Sequence, residues 1–208
     1  MSNTYTIGLV GGIASGKTYV AKILDSKFNI PTINADHVAA QVIQRHEVLE
    51  KIFNIAPDVF LDNNDYSSLN KKKLSDKIFT HPKIKTQIET IMHPLILDEI
   101  KKNIALADLI SIDAPLLFEC GLDNLCDSVL FVDCPLFMRK KRVIERSWDS
   151  QEIFRRESTQ IPLDEKRERA HYVLKNNGNC SNDELVANIL LFLNECLPSK
   201  YKDFRNSL

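Results

Sequence analysis

The sequence predicts an α/β fold: a parallel sheet of five strands flanked by helices. Three observations predict it. Short apolar, β-rich runs alternate with stretches of helical periodicity along the chain. Several of those runs are apolar almost throughout, as strands covered on both faces are. A glycine-rich turn also stands between the first run and the first helical stretch, a strand–loop–helix arrangement found in nucleotide-binding α/β proteins.

Taken in order, Tyr5–Val10 reads as the first strand, and Val20, Ala21, Ile23, Leu24 and Phe28 recur at helical spacing after Lys17. Thr32–Asn34 is a short second strand. Leu109–Asp113 and Val129–Asp133 are two more, each apolar and each ending in a carboxylate. Tyr172–Leu174 is the fifth strand and Asp183–Leu197 a closing helix. Between the second and third strands the chain has almost no strand character. Residues 62–107 read as a helical insertion, with breaks expected at His81-Pro82 and His93-Pro94 because proline lacks a backbone donor. Residues 142–169 are crowded with Arg, Glu and Lys and read as a solvated helix pair forming a lid on one domain spanning 1–208.

With 208 residues, 44% hydrophobic and 26% charged, the chain suits a globular domain. A net charge of -1, from 27 basic and 28 acidic side chains, disfavours nucleic acid as partner. Cys120, Cys126, Cys134, Cys180 and Cys196 form no CxxC pair, the pattern of reduced thiols. Met1 to Gly12 lacks the features of a signal peptide, and no apolar run approaches the roughly 18 residues that span a bilayer. The expectation is a cytoplasmic protein with no membrane contact, monomeric by default.

Gly11-Gly12-Ile13-Ala14-Ser15-Gly16-Lys17-Thr18 fits G-x-x-x-x-G-K-[ST], the phosphate-binding P-loop. Glycines let the backbone turn its N–H groups toward phosphate oxygens, and the following helix adds its positive end. Lys17 is expected to supply a charge between β- and γ-phosphates of ATP, and the Thr18 hydroxyl to ligate Mg²⁺. The chain lacks a guanine-recognition motif and a serine-glycine signature, which leaves the small metabolite and nucleoside-phosphate kinases.

Asp36 follows the second strand, where a carboxylate either orients and deprotonates an attacking hydroxyl or caps a helix beginning near His37. The two roles are compatible. Asp113 has the form of a Walker B carboxylate holding Mg²⁺ through water, or of a turn residue. Glu119 is a weaker candidate, and Asp133 is expected to cap the helix that starts around Pro135. Arg139, Arg142, Arg146, Arg155 and Arg156 either neutralise the transferring phosphate or pair with nearby glutamates on a solvated helix.

Several segments together resemble the dephospho-CoA kinase family. Ile7 to Thr18 is similar to L-T-G-G-I-G-S-G-K-S, and Ile33-Asn34-Ala35-Asp36 to I-D-A-D. His93-Pro94-Leu95-Ile96 resembles H-P-x-I, Pro115 to Glu119 reproduces P-L-L-F-E, Gln160 matches the lid glutamine, and Asn176-Asn177-Gly178 resembles I-x-N-x-G. The resemblance implies a P-loop NTPase fold with a helical substrate-binding insertion and an arginine-rich lid. It implies transfer from ATP to the ribose 3′-hydroxyl of dephospho-CoA, with Asp36 at the position of the base, Arg142 near the phosphates, and Asn177 and Gly178 near adenine. The chain departs from the pattern at Ala14, where a glycine is usual and a negative φ is expected, at Asn34, and at His171-Tyr172. A kinase for another small acceptor and a nucleotide-binding regulator are the rival readings.

Overall fold

The computed structural model describes residues 4–62, 65–149, 151–178 and 181–201. Contacts divide the chain into two compact units, Met1–Asn34 with Asn103–Leu208, and Ala35–Lys102.

The first unit carries a fully parallel sheet of β1 (Tyr5–Val10), β2 (Thr32–Asn34), β3 (Leu109–Asp113), β4 (Ser128–Asp133) and β5 (Tyr172–Lys175). The strands lie in the order β2-β3-β1-β4-β5. Leu9 is level with Asp113 of β3, and Val10 with Phe131 of β4, so the loop leaving β1 emerges at the carboxyl ends of both neighbours. That edge is where open α/β sheets bind ligands.

Helix α1 (Lys17–Phe28) turns Val20, Ala21, Ile23, Leu24 and Phe28 inward. It stops at Asn29, a left-handed residue with φ 52° that lets the Ile30 N–H return to the Leu24 carbonyl at 3.0 Å. Farther along lie α6 (Leu136–Glu145), α7 (Gln151–Glu157), α8 (Leu163–Glu168) and α9 (Asn182–Cys196), numbered after the four helices of the second unit. The Ser181 hydroxyl caps α9 by accepting the Glu184 N–H at 3.1 Å. Leu185, Val186, Ile189, Phe192 and Leu193 of α9 join α1 and strands β1, β3, β4 and β5 in one core. Each such side chain contributes about 1.5–3 kcal/mol by leaving water.

The second unit comprises α2 (Ala35–Val42), α3 (His46–Ile55), α4 (Lys71–Thr80) and most of α5 (Pro82–Ile104). Asn70 caps α4, accepting the Lys73 N–H at 3.0 Å. Phe53 holds the turn regions with an edge contact to Phe60 at 5.2 Å and a tilted contact to Tyr66 at 5.1 Å between centroids. The chain breaks at His81, but Pro94 sits inside α5 and does not end it. Ile88, Met92 and Ile100 are buried on either side of the proline. Their burial outweighs the one hydrogen bond that Pro94 cannot donate to the Thr90 carbonyl.

No described helix is long and apolar enough to cross a membrane. Cys126, Cys134 and Cys196 are free thiols, and Cys180 lies outside the described residues. Burial pushes the Cys126 thiol up to about 12.

Candidate active site

Residues 11–18 form the turn between β1 and α1. Gly16 begins the helix at φ 102°, and a Cβ there would collide with the Asn176 amide. Both the backbone angle and the close approach require glycine. Ala14, expected at negative φ, instead has φ 59°. The alanine keeps a left-handed conformation that disfavours any side chain by roughly 1–2 kcal/mol. Beyond Gly16 the first N–H groups of α1 have no acceptor within the helix, and such groups together with the helix dipole attract phosphate.

Lys17 is 9% exposed. Its Nζ donates to the Gly11 carbonyl at 2.8 Å and the Gly12 carbonyl at 3.2 Å, which holds the ammonium over the loop. The Thr18 hydroxyl donates to Asp113 Oδ2 at 3.1 Å. Asp113 is 4% exposed at the end of β3. These are two hard oxygen donors side by side, and the hydroxyl proton points at the carboxylate so that its lone pairs face elsewhere. Magnesium fits such a pair, because it keeps waters and phosphate oxygens for its remaining positions. No cluster of three or more His, Cys, Asp or Glu side chains suited to a metal occurs among the described residues.

Arg142 supports the loop from α6. Its guanidinium donates to the Ala14 carbonyl at 3.2 Å, the Ser15 carbonyl at 2.9 Å and Asn176 Oδ1 at 3.2 Å. Asn176 in turn donates to the Ser15 carbonyl at 2.8 Å. Sequence reasoning did not single out Asn176 as a loop contact, although it stands in the Asn176-Asn177-Gly178 segment. Gly178, at φ 76°, packs on Met138 of α6, and Asn177 is half-buried. Asp36 is exposed in the first turn of α2, which begins at Ala35. It is therefore inside the helix rather than its cap, where a carboxylate complements the helix dipole.

The charged stretch after β4 is not uniformly solvated. Lys166 is 0% exposed and donates to Glu119 at 2.8 Å, the Pro115 carbonyl at 2.8 Å and Gln160 Oε1 at 3.0 Å. Glu119 also accepts the Ile161 N–H at 2.9 Å. This acid, expected as a weak candidate for the crevice, is committed to a buried strut. Its one local signal was an acid closing an apolar run, which needs a cation when buried. Asp133 does not cap α6, whose first residue follows Pro135 without a side-chain cap. It pairs with Arg167 at 3.4 Å.

A dephospho-CoA kinase family model matches residues 5–182, from β1 to the start of α9. The chain belongs to the dephospho-CoA kinase family. It is 34% identical over 196 residues to a dephospho-CoA kinase of Lactobacillus johnsonii, covering 90% of this chain and 97% of that one. It is 34% identical over 177 residues to one of Bdellovibrio bacteriovorus, covering 82% and 87%. The crystal structure of TT1252 from Thermus thermophilus superposes with a TM-score of 0.82 at 29% identity, covering 94% of this chain and 99% of that one. The protein is thus an ATP-dependent kinase of P-loop fold. Members of the dephospho-CoA kinase family phosphorylate a hydroxyl.

Proposed function

We propose that this protein transfers the γ-phosphate of ATP to the ribose 3′-hydroxyl of dephospho-CoA, giving CoA and ADP in the last step of coenzyme A synthesis. The observation that carries the reading is the family match running through an intact phosphate loop with Lys17, Thr18 and Asp113 in register.

In this reading the amides from Ile13 to Thr18 and the start of α1 hold the ATP phosphates, and Lys17 turns its charge to the β- and γ-oxygens. Thr18 and Asp113 hold Mg²⁺, which when bound neutralises charge on the phosphates. Arg142 acts through the carbonyls it bonds, keeping the loop amides aimed at the nucleotide. Asn177 and Gly178 flank adenine. Asp36 orients or deprotonates the acceptor hydroxyl, a role supported by its place two residues beyond β2. Residues 62–107 bind dephospho-CoA, and residues 142–169 cover ATP and exclude water. Phosphoryl transfer through a loose transition state makes positioning and charge neutralisation matter more than basicity. A cytoplasmic place of action follows from the ATP supply such a reaction draws on.

The test is ADP release by purified protein with MgATP, with and without dephospho-CoA, together with the mass of the acceptor. The expected result is a gain of one phosphate on dephospho-CoA at a rate far above the acceptor-free background. Rapid ADP release with no change in acceptor mass would sink the reading.

A further inference from the structure

Arg139 and Glu157 meet on the phosphate loop. Arg139, in α6, is 6% exposed, and its NH1 donates to Glu157 Oε1 at 2.5 Å. The same carboxylate oxygen accepts the N–H of Ile13 at 2.9 Å. NH1 also reaches the Ile13 carbonyl at 3.5 Å. The pair closes on Gly12, where a Cβ would stand 2.6 Å from Arg139 NH1 and 2.9 Å from Glu157 Oε1. Arg139 Nε is buried with no hydrogen-bond partner among the described residues.

A guanidinium and a loop amide therefore converge on one anionic oxygen, in a loop whose amides serve to bind phosphate. A phosphoryl oxygen carries the same sign of charge and accepts the same two hydrogen bonds. Burying Arg139 alone would be costly, and Glu157 offsets that cost. We propose that Arg139 and the Ile13 N–H form a site for a phosphoryl oxygen of the nucleotide, and that Glu157 is the internal carboxylate this oxygen displaces. The proposal rests on the P-loop reading above and adds to it a second side-chain cation and a competitor built into the chain.

Three consequences follow. ATP must displace Glu157, so the carboxylate weakens apparent nucleotide affinity. Departure of Glu157 releases the C-terminal end of α7 from the loop. Once freed, Arg139 turns its charge and its unused Nε to the phosphate.

The test measures binding of MgATP and of pyrophosphate by calorimetry to wild type, Glu157→Gln and Arg139→Gln. Glu157→Gln should bind both ligands roughly tenfold more tightly, the scale of one hydrogen bond to a charged group. Arg139→Gln should bind pyrophosphate more weakly than Glu157→Gln does. In wild type, saturating pyrophosphate should speed amide hydrogen exchange in residues 151–157. A purely structural staple between α7 and the loop predicts otherwise: Glu157→Gln would lower Tm, leave both affinities unchanged, and overturn the proposal. If Glu157→Gln does not fold, unchanged exchange in 151–157 of the wild type overturns it equally. If wild type binds neither ligand, the P-loop reading itself has failed, and this proposal with it.

Discussion

The phosphate loop and the helices that follow β4 both hold charge near or below the surface, but by different means. In residues 11–18 the charge belongs mostly to the backbone, its amides and a helix dipole, joined by a single lysine side chain tied to the Gly11 and Gly12 carbonyls. In α6–α8 it belongs to side chains that find their counterions across the chain, Arg139 with Glu157 and Lys166 with Glu119. A backbone device needs glycines at fixed spacing and so writes a motif. A side-chain pair needs only two opposite charges that the fold brings together, and writes none. The first is built to receive an external anion. The Lys166 strut is closed on a carboxylate of the chain's own, Glu119.

This difference predicts opposite responses to substitution, and the largest effects fall on turnover. Asp36→Asn should lower kcat by roughly 10²–10⁴-fold with ATP affinity nearly unchanged. Lys17→Ala should cost roughly 10²–10³-fold or more in turnover, with little change in Tm. Steady-state kinetics and thermal melts separate the two quantities, and near-wild-type turnover in either variant removes that residue from the mechanism. Lys166→Ala should do the reverse. Leaving Glu119, whose side chain is 17% exposed, without its cation costs at most about 3–5 kcal/mol, while kcat measured well below the lowered Tm stays close to wild type. The double change Lys166→Met with Glu119→Leu should recover much of that loss. A double variant no better than the single one would mean that the strut is more than an ion pair.

Cys126 sharpens the comparison from a third side, since it is half-buried and neutral, with its thiol directed at the Leu122 carbonyl at 3.4 Å. Desolvation, with smaller contributions from Asp123 and Asp127, raises the folded thiol to about 12 from an ordinary 9.0. The unfolded thiol therefore ionises first as pH rises. Its contribution to stability is complete below about pH 9 and is lost progressively toward pH 12. Urea titrations across that window should show the loss in wild type and a flatter profile in Cys126→Ala. The smallest effect is expected at Ala14, where glycine fits φ 59°. Ala14→Gly should stabilise by about 1 kcal/mol or less, because glycine gives back part of the gain as unfolded-chain entropy.

Most of the sheet was legible because buried parallel strands are nearly continuous apolar runs, and Tyr5–Val10 and Leu109–Asp113 stand out as such. The loop was legible because its chemistry is local. Pro94 misled because a proline's cost is visible in sequence, while the burial of Ile88, Met92 and Ile100 that outweighs it is not. Asp133 misled because a cap and an ion pair with Arg167 ask for the same residue. The strut joins Lys166 to Glu119, far apart in the chain, and no short window of sequence contains both partners. The pair on Gly12 joins neighbouring helices, and pairing of these arginines with nearby glutamates was one of the two readings the sequence left open.

The strand order has a consequence for how the chain is made. β1 occupies the centre of the sheet, yet it is the first strand to be synthesised, and both its neighbours, β3 and β4, come after residue 108. At 5–20 residues per second, roughly 5–20 s pass between emergence of β1 and of its first partner. Through that interval a largely apolar strand has both edges open, and the loop that is to hold ATP has no wall beside it. Ile7, Leu9 and Val10 are therefore where a chaperone has most to shield on the nascent chain, and nucleotide can help folding only after translation has passed β4.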